Sequence, residues 1–248
     1  LAMVSGDGGS ALVPWDSSTG ELPMVLFRAG VATNLQTARV RPYAPGIFEG
    51  AVLRAGSTCR VTEANGVRPG EVLEIYATGL GPGAPSWMTP TVSVNGAPAE
   101  VLYSGTLPTL VGLNQVNVRL SPDTPPSARS ALVLRSGDAQ APPYPISVAS
   151  AEDRYAVALG GPLSEIVLQA GGPARTVEIA AEGRNGYCGP VVLSLEAGPA
   201  GVEFRAPVGS TGSAIPVELR ASEAAPAQTG ATVLLAGGAP GVARGVAS

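Results

Sequence analysis

The chain has 248 residues, 45% hydrophobic and 14% charged, with a formal net charge of −4. That length holds two complete β-sandwiches of about 100 residues each and part of a third, and the apolar content argues against disorder. All 15 basic residues are Arg and there is no His, which removes the usual general base, the commonest metal ligand and Schiff-base lysine chemistry; scattered Arg on an acidic chain offers no basic face to nucleic acid.

Helical periodicity is weak from end to end. Short runs of Val, Leu, Ile and Thr are bounded by Gly, Pro, Asn or Ser, which is the pattern of strands and turns. No apolar run is long enough to cross a bilayer as a helix. Taken in order, residues 1–50 hold several short strand-like runs. Glu71 to Thr78 alternates and stops at Gly79-Leu80-Gly81-Pro82-Gly83. Thr91–Val94 and Ala99–Leu102 flank Asn95-Gly96, a strong hairpin signal because both turn residues accept positive φ. Asn114 to Leu120 alternates strictly, with Val116, Val118 and Leu120 on one face, as a half-buried strand does. Pro122–Pro126 reads as a loop, and Ala131–Arg135 and Pro145–Val148 close this unit. Ala151-Glu152-Asp153-Arg154 reads as a linker. Strands are predicted beyond it at 155–159, 164–169, 175–181, 190–196, 201–205, 214–220 and 230–236. The resulting expectation is all-β, with tandem immunoglobulin-like sandwiches: a partial unit at 1–50, a complete one at 51–150 and a third at 151–248.

The partial unit comes from an internal repeat. Val101–Gly105, Gln115–Arg119, Leu132–Gly137 and Ile146–Val148 have earlier counterparts in Ala2–Gly6, Ala11–Trp15, Val25–Gly30 and Ala38–Val40. The front half of the complete copy, residues 57–100, has no counterpart before Leu1. An unfinished sandwich exposes an apolar face and unpaired edges, which another strand must cover. Leu1, Met3, Val13, Val25 and Phe27 are the expected donor or open-core residues, and Leu1–Ser5 or Ala231–Ala236 and beyond the expected donor strands.

Residues 10–150 also resemble a known family. The landmarks are Val13-Pro14-Trp15, Ala44–Phe48, Arg68-Pro69-Gly70-Glu71-Val72, Ile75–Pro82, Val94–Gly105 and Val111–Val118. They are similar, in order and spacing, to the C-terminal domain family of Solibacter-type (acidobacterial) secreted proteins. That resemblance implies two consecutive IPT/TIG-like sandwiches, export from the cell and no catalytic residues to carry over. Residues 152–248 are similar to Ig-like modules of bacterial surface proteins, through Gly189–Leu195 and Gly198–Val202.

Chemistry-bearing motifs are few. Gly79–Gly83 lacks the Lys-Ser/Thr and the helix of a phosphate loop. Ser5–Gly9 carries one acid, too few oxygens for calcium. Without His there is no Ser-His or Cys-His pair, and the 19 acids are spread along alternating strands rather than paired. No catalytic residue, cofactor site or metal site is assigned. Trp87 and Met88 lie in a loop by pattern and read either as a contact surface or as packing. Cys59 and Cys188 read as a bridge between the second and third units or between subunits, or as two free thiols.

The sequence therefore predicts a non-enzymatic secreted or cell-surface structural protein, a homo-oligomer or polymer assembled by strand complementation into a surface filament or pilus-like fibre. The alternative is a stalk or adhesion region of a larger secreted protein. Glycan binding through Trp87 is a weaker third reading, because aromatics make up only 4% of the chain.

Overall fold

A computed structural model describes residues 2–5, 8–11, 13–14, 17–25, 27–28, 30–32, 34–81, 89–107, 110, 112–150, 152–161, 166–227, 234–238 and 245–247. Every regular element among them is a strand, and no helix is long and apolar enough to cross a membrane. The residues group into two compact units. One comprises Leu1–Ala55, Val72–Ser121 and Ala131–Tyr144; the other comprises Gly56–Glu71, Pro122–Ser130 and Pro145–Ser248.

Among its described residues the early segment forms three two-stranded ladders. These are β1 (Ala2–Ser5) with β2 (Gly8–Ala11), β3 (Gly20–Met24) with β6 (Gln36–Val40), and β4 (Phe27–Arg28) with β5 (Val31–Ala32).

The middle sheet runs in the order β13-β12-β9-β10-β11-β8-β7, with β14 joined to β12. Its strands are β7 (Gly46–Arg54), β8 (Val72–Thr78), β9 (Thr91–Val94), β10 (Ala97–Thr106), β11 (Asn114–Arg119), β12 (Ser127–Ser136), β13 (Ala139–Gln140) and β14 (Tyr144–Val148). The β9–β10 hairpin closes at Asn95-Gly96, with φ values of 49° and 80° and Val94 facing Ala97. This is the two-residue type I′ geometry, whose twist matches that of the flanking strands. β10 then changes partner: Ala97–Ala99 pair with β9 and Glu100–Thr106 with β11, with a register shift between Val101 and Tyr103. A strand that switches partners through a bulge turns a corner in a sheet. Along β11 and just past its end, Val116, Val118 and Leu120 are buried, as their alternation requires. Leu73, Ile75 and Ala77 do the same on β8.

The early ladders repeat the back half of this arrangement. β1–β2 matches the hairpin β10–β11, β4–β5 matches the turn between β12 and β13, and β3–β6 matches the pairing of β12 with β14. The strand β12 of the complete copy has two counterparts in the early one, β3 and β4.

The C-terminal region has two four-stranded sheets, β15-β16-β20-β18 and β19-β17-β21-β22. The strands are β15 (Ala156–Gly160), β16 (Arg175–Arg184), β17 (Pro190–Ala197), β18 (Val202–Arg205), β19 (Gly209–Ser210), β20 (Ser213–Ala221), β21 (Leu234–Gly238) and β22 (Gly245–Ala247). Val157, Ile179, Val217 and Leu219 from the first sheet share one core with Val191, Leu193 and Leu235 from the second, so the sheets are held face to face by apolar burial.

One expectation is corrected here, the strand at 164–169, of which residues 164–165 lie outside the described residues, and a second is placed. Residues 166–169 form no strand; the segment makes a single parallel bridge, Ala170 to Ala221. β16 pairs with β20 from Ser213 to Leu219 and β18 lines the other edge, so only the end of β20 at Ala221 is left for this run. The C-terminal part of the expected donor Ala231–Ala236 lies in β21, between β17 and β22. Both its edges are paired and Leu235 and Ala236 are buried; residues 231–233 lie outside the described residues.

Candidate functional site

The most elaborate polar arrangement centres on the segment Gly56–Glu71. Arg68-Pro69-Gly70-Glu71 is a β-turn: Glu71 N donates to Arg68 O (3.1 Å), and Arg68 N donates to Glu71 Oε2 (2.8 Å). The turn aims the Arg68 side chain at three carbonyls. Nε donates to Asn185 O at 2.9 Å, one terminal nitrogen to Ser150 O at 3.5 Å, and the other to Asp153 O. The guanidinium also lies 4.3 Å from the centre of the Tyr155 ring. Only a planar fork can face three carbonyls and stack on a ring together.

Asn65 forms the second anchor. It is buried, and its amide acts as a stand-in backbone: Nδ2 donates to Tyr187 O (3.0 Å) and Oδ1 accepts from Gly186 N (2.8 Å). The receiving turn, Arg184 to Tyr187, has Asn185 and Gly186 at φ values of 54° and 89°. The approach depends on Gly183, where an added Cβ would sit 2.1 Å from Tyr187 O and 2.8 Å from Asn65 Nδ2. Val67 completes the attachment by pairing in parallel with Val148, through bonds from Val67 N to Ser147 O and from Ala149 N to Val67 O.

Cys59 and Cys188 form a disulfide across 129 residues of chain, with Cα atoms 6.0 Å apart. The sequence boundaries set the two cysteines in different domains; in the structure Gly56–Glu71 groups with residues 145–248. Cys188 follows the Asn185-Gly186 turn, and its side of the bridge is exposed while Cys59 is half-buried. The Thr211 hydroxyl lies 3.7 Å from Cys59 Sγ and accepts from Gly189 N at 3.2 Å. Beside the bridge, the Tyr187 hydroxyl donates to Pro190 O (2.6 Å), and burial raises the Tyr187 pKa above its ordinary value.

The second feature is the early segment. Val25 and Phe27 are 38% and 74% exposed, whereas their repeat counterparts Leu132 and Leu134 are fully buried. Val13, Met24, Val31 and Leu35 are exposed as well. Met3 lies in β1, of which the backbone alone is described, and Leu1, Trp87 and Met88 lie outside the described residues.

A third feature is an open cleft of about 380 Å³ on the C-terminal region, lined by Gly171–Ala174, Glu203, Arg205, Glu218 and Arg220. Glu203 faces Arg220 and Arg205 faces Glu218 across β18 and β20. Signs alternate along and across the strands, and the two Glu and two Arg sum to zero charge. Opposite charges facing each other across strands support the sheet, and charges on the edge strand β18 discourage foreign pairing there. Among the described residues, no group of three or more Cys, Asp and Glu could hold a metal.

Sequence reasoning missed Asn65, Arg68 and Tyr155. The turn signals Pro69-Gly70 and Asn185-Gly186 were visible, but nothing local says that turns 117 residues apart meet. No protein-family model matches the chain, and no match is found among curated proteins.

Proposed function

We propose that the chain is a non-enzymatic structural protein of an oxidising, extracellular compartment, built from Ig-like sandwiches and assembled by strand complementation. The observation that carries this reading is the contrast between copies of one repeated block. Leu132 and Leu134 are fully buried in the complete copy, whereas Val25 and Phe27 are exposed in the early one. Two-stranded ladders with bare apolar faces are marginal in water, and a further strand covers such faces while satisfying backbone groups. The donated strand comes from a neighbouring copy and lies against β3–β6 and β4–β5. Contacts of this kind, repeated head to tail, build an open fibre.

The cystine supports export, because disulfides persist outside reducing compartments. The resemblance to Solibacter-type secreted proteins supports it as well. The absence of His and Lys supports a role without acid–base or covalent catalysis. Sedimentation of the oxidised chain over a range of concentrations tests the proposal. Growth of the assembly with concentration, abolished by Val25→Asp with Phe27→Asp, is the expected result. A monomer at every concentration overturns neighbour complementation and favours the stalk reading, in which the covering strand belongs to the same longer polypeptide.

A further inference from the structure

The cystine changes how the chain carries tension. A force applied along a polypeptide follows the shortest covalent path, and the bond between Cys59 and Cys188 cuts off 129 residues of sequence separation. All of β8 through β16 lies inside that covalent loop, while β1–β7 and β17–β22 lie outside it. Tension on the outer segments therefore passes through the sulfurs and leaves the enclosed strands without end-to-end load. The enclosed chain corresponds to about 450 Å of extended polypeptide, and segments 1–59 and 188–248 together to about 420 Å.

The bond itself is reachable. Cys188 is exposed and Cys59 half-buried as residues, so the attack is assigned to Cys188, the more open of the two. Arg68 and Asn65 hold the same segment to the Asn185–Tyr187 turn through backbone groups, so breaking the S–S bond leaves a noncovalent clasp that yields under load.

We propose that the Cys59–Cys188 cystine is a tension bypass with a redox release, an inference that rests on the structural-protein reading. The release is thiol–disulfide exchange with a dithiol reductant. One reductant thiolate attacks Cys188 Sγ, and the S–S bond breaks with its electron pair on Cys59 Sγ, which takes a proton from water. The second reductant thiolate then attacks the mixed disulfide, freeing the Cys188 thiolate, which is protonated in turn. The reductant leaves oxidised as its own disulfide, and two cysteine thiols remain. The enclosed segment then joins the force path.

The test is single-molecule pulling on the oxidised 248-residue chain, with handles at its two ends. Without reductant the released length should total about 420 Å. Adding a small dithiol at constant force should give further extension totalling about 450 Å. The Cys188→Ser variant should reach the full length of about 870 Å with no response to the dithiol; if that variant does not fold, the reductant jump on the wild-type chain decides alone. Extension of the oxidised chain to about 870 Å without reductant overturns the bypass, and no response to dithiol under load overturns the redox release. A chain that is monomeric in solution yet shows the two-step extension sinks the assembly reading while leaving the bypass intact.

Discussion

Arg68 is the residue whose chemistry is most specific. Its side chain reaches the carbonyls of Ser150, Asp153 and Asn185 and stacks on Tyr155. A lysine keeps the charge but offers neither the fork nor the flat face. Arg68→Lys should therefore lower stability by about 1–2 kcal/mol in urea titration of the oxidised chain; an unchanged midpoint would make the contacts incidental. Gly183→Ala should be more damaging, because the new Cβ meets a backbone oxygen at 2.1 Å and a backbone does not move aside as a side-chain tip does. We expect a loss of about 3 kcal/mol or more, with the Asn65 clasp disrupted.

Tyr187 makes a pH prediction. Burial raises its pKa in the folded chain, so the folded state holds the phenol proton more tightly than the unfolded state does. The associated stability is fully present below the ordinary tyrosine pKa of about 10 and is lost as pH rises from there through the raised folded value. Tyr76 shares this direction, through burial first and then the Glu74 carboxylate. Tyr187→Phe should thus lose less stability than wild type between pH 9.5 and 11.5, a window about the ordinary value. Parallel unfolding midpoints for the two proteins would contradict this.

Among elements, the segment Gly56–Glu71 is held by a covalent bond, by the Arg68 and Asn65 side chains and by a parallel bridge. Closing a loop of 129 residues removes about 5 kcal/mol worth of unfolded-chain entropy. Reduction should therefore destabilise the chain by that order and speed hydrogen exchange at Val67 and Ala149, whose amides form the bridge to this segment. Equal exchange in the oxidised and reduced forms would show that Arg68 and Asn65 suffice alone. This is also the scale at which sequence and structure part. The strand β11 was legible because one face is buried and one is not, and the β9–β10 hairpin because Asn95-Gly96 permits only a few turns. Residues 166–169 were not, because strand composition says nothing about whether an edge is free. Asn65 and Arg68 were illegible for the same reason: their partners are backbone groups, and any sequence supplies those. The cysteines were visible, but their pairing is a matter of distance in space, which spacing along the chain does not encode.

For the whole molecule, the repeat visible in the sequence is also visible in the pairing pattern, where β1–β6 retrace the connections of β10–β14. What differs is cover. The complete copy buries its apolar block, and the early copy leaves Phe27, Val31 and Leu35 facing solvent. The central claim is that a strand from a neighbouring copy closes this face. Its most direct measurement is hydrogen exchange at the amides of residues 20–40, followed as concentration rises. Strand complementation predicts that these amides become protected as assemblies form, and that Val25→Asp with Phe27→Asp abolishes both protection and assembly. Amides in this segment that exchange at the same rate in dilute and concentrated oxidised protein would contradict it.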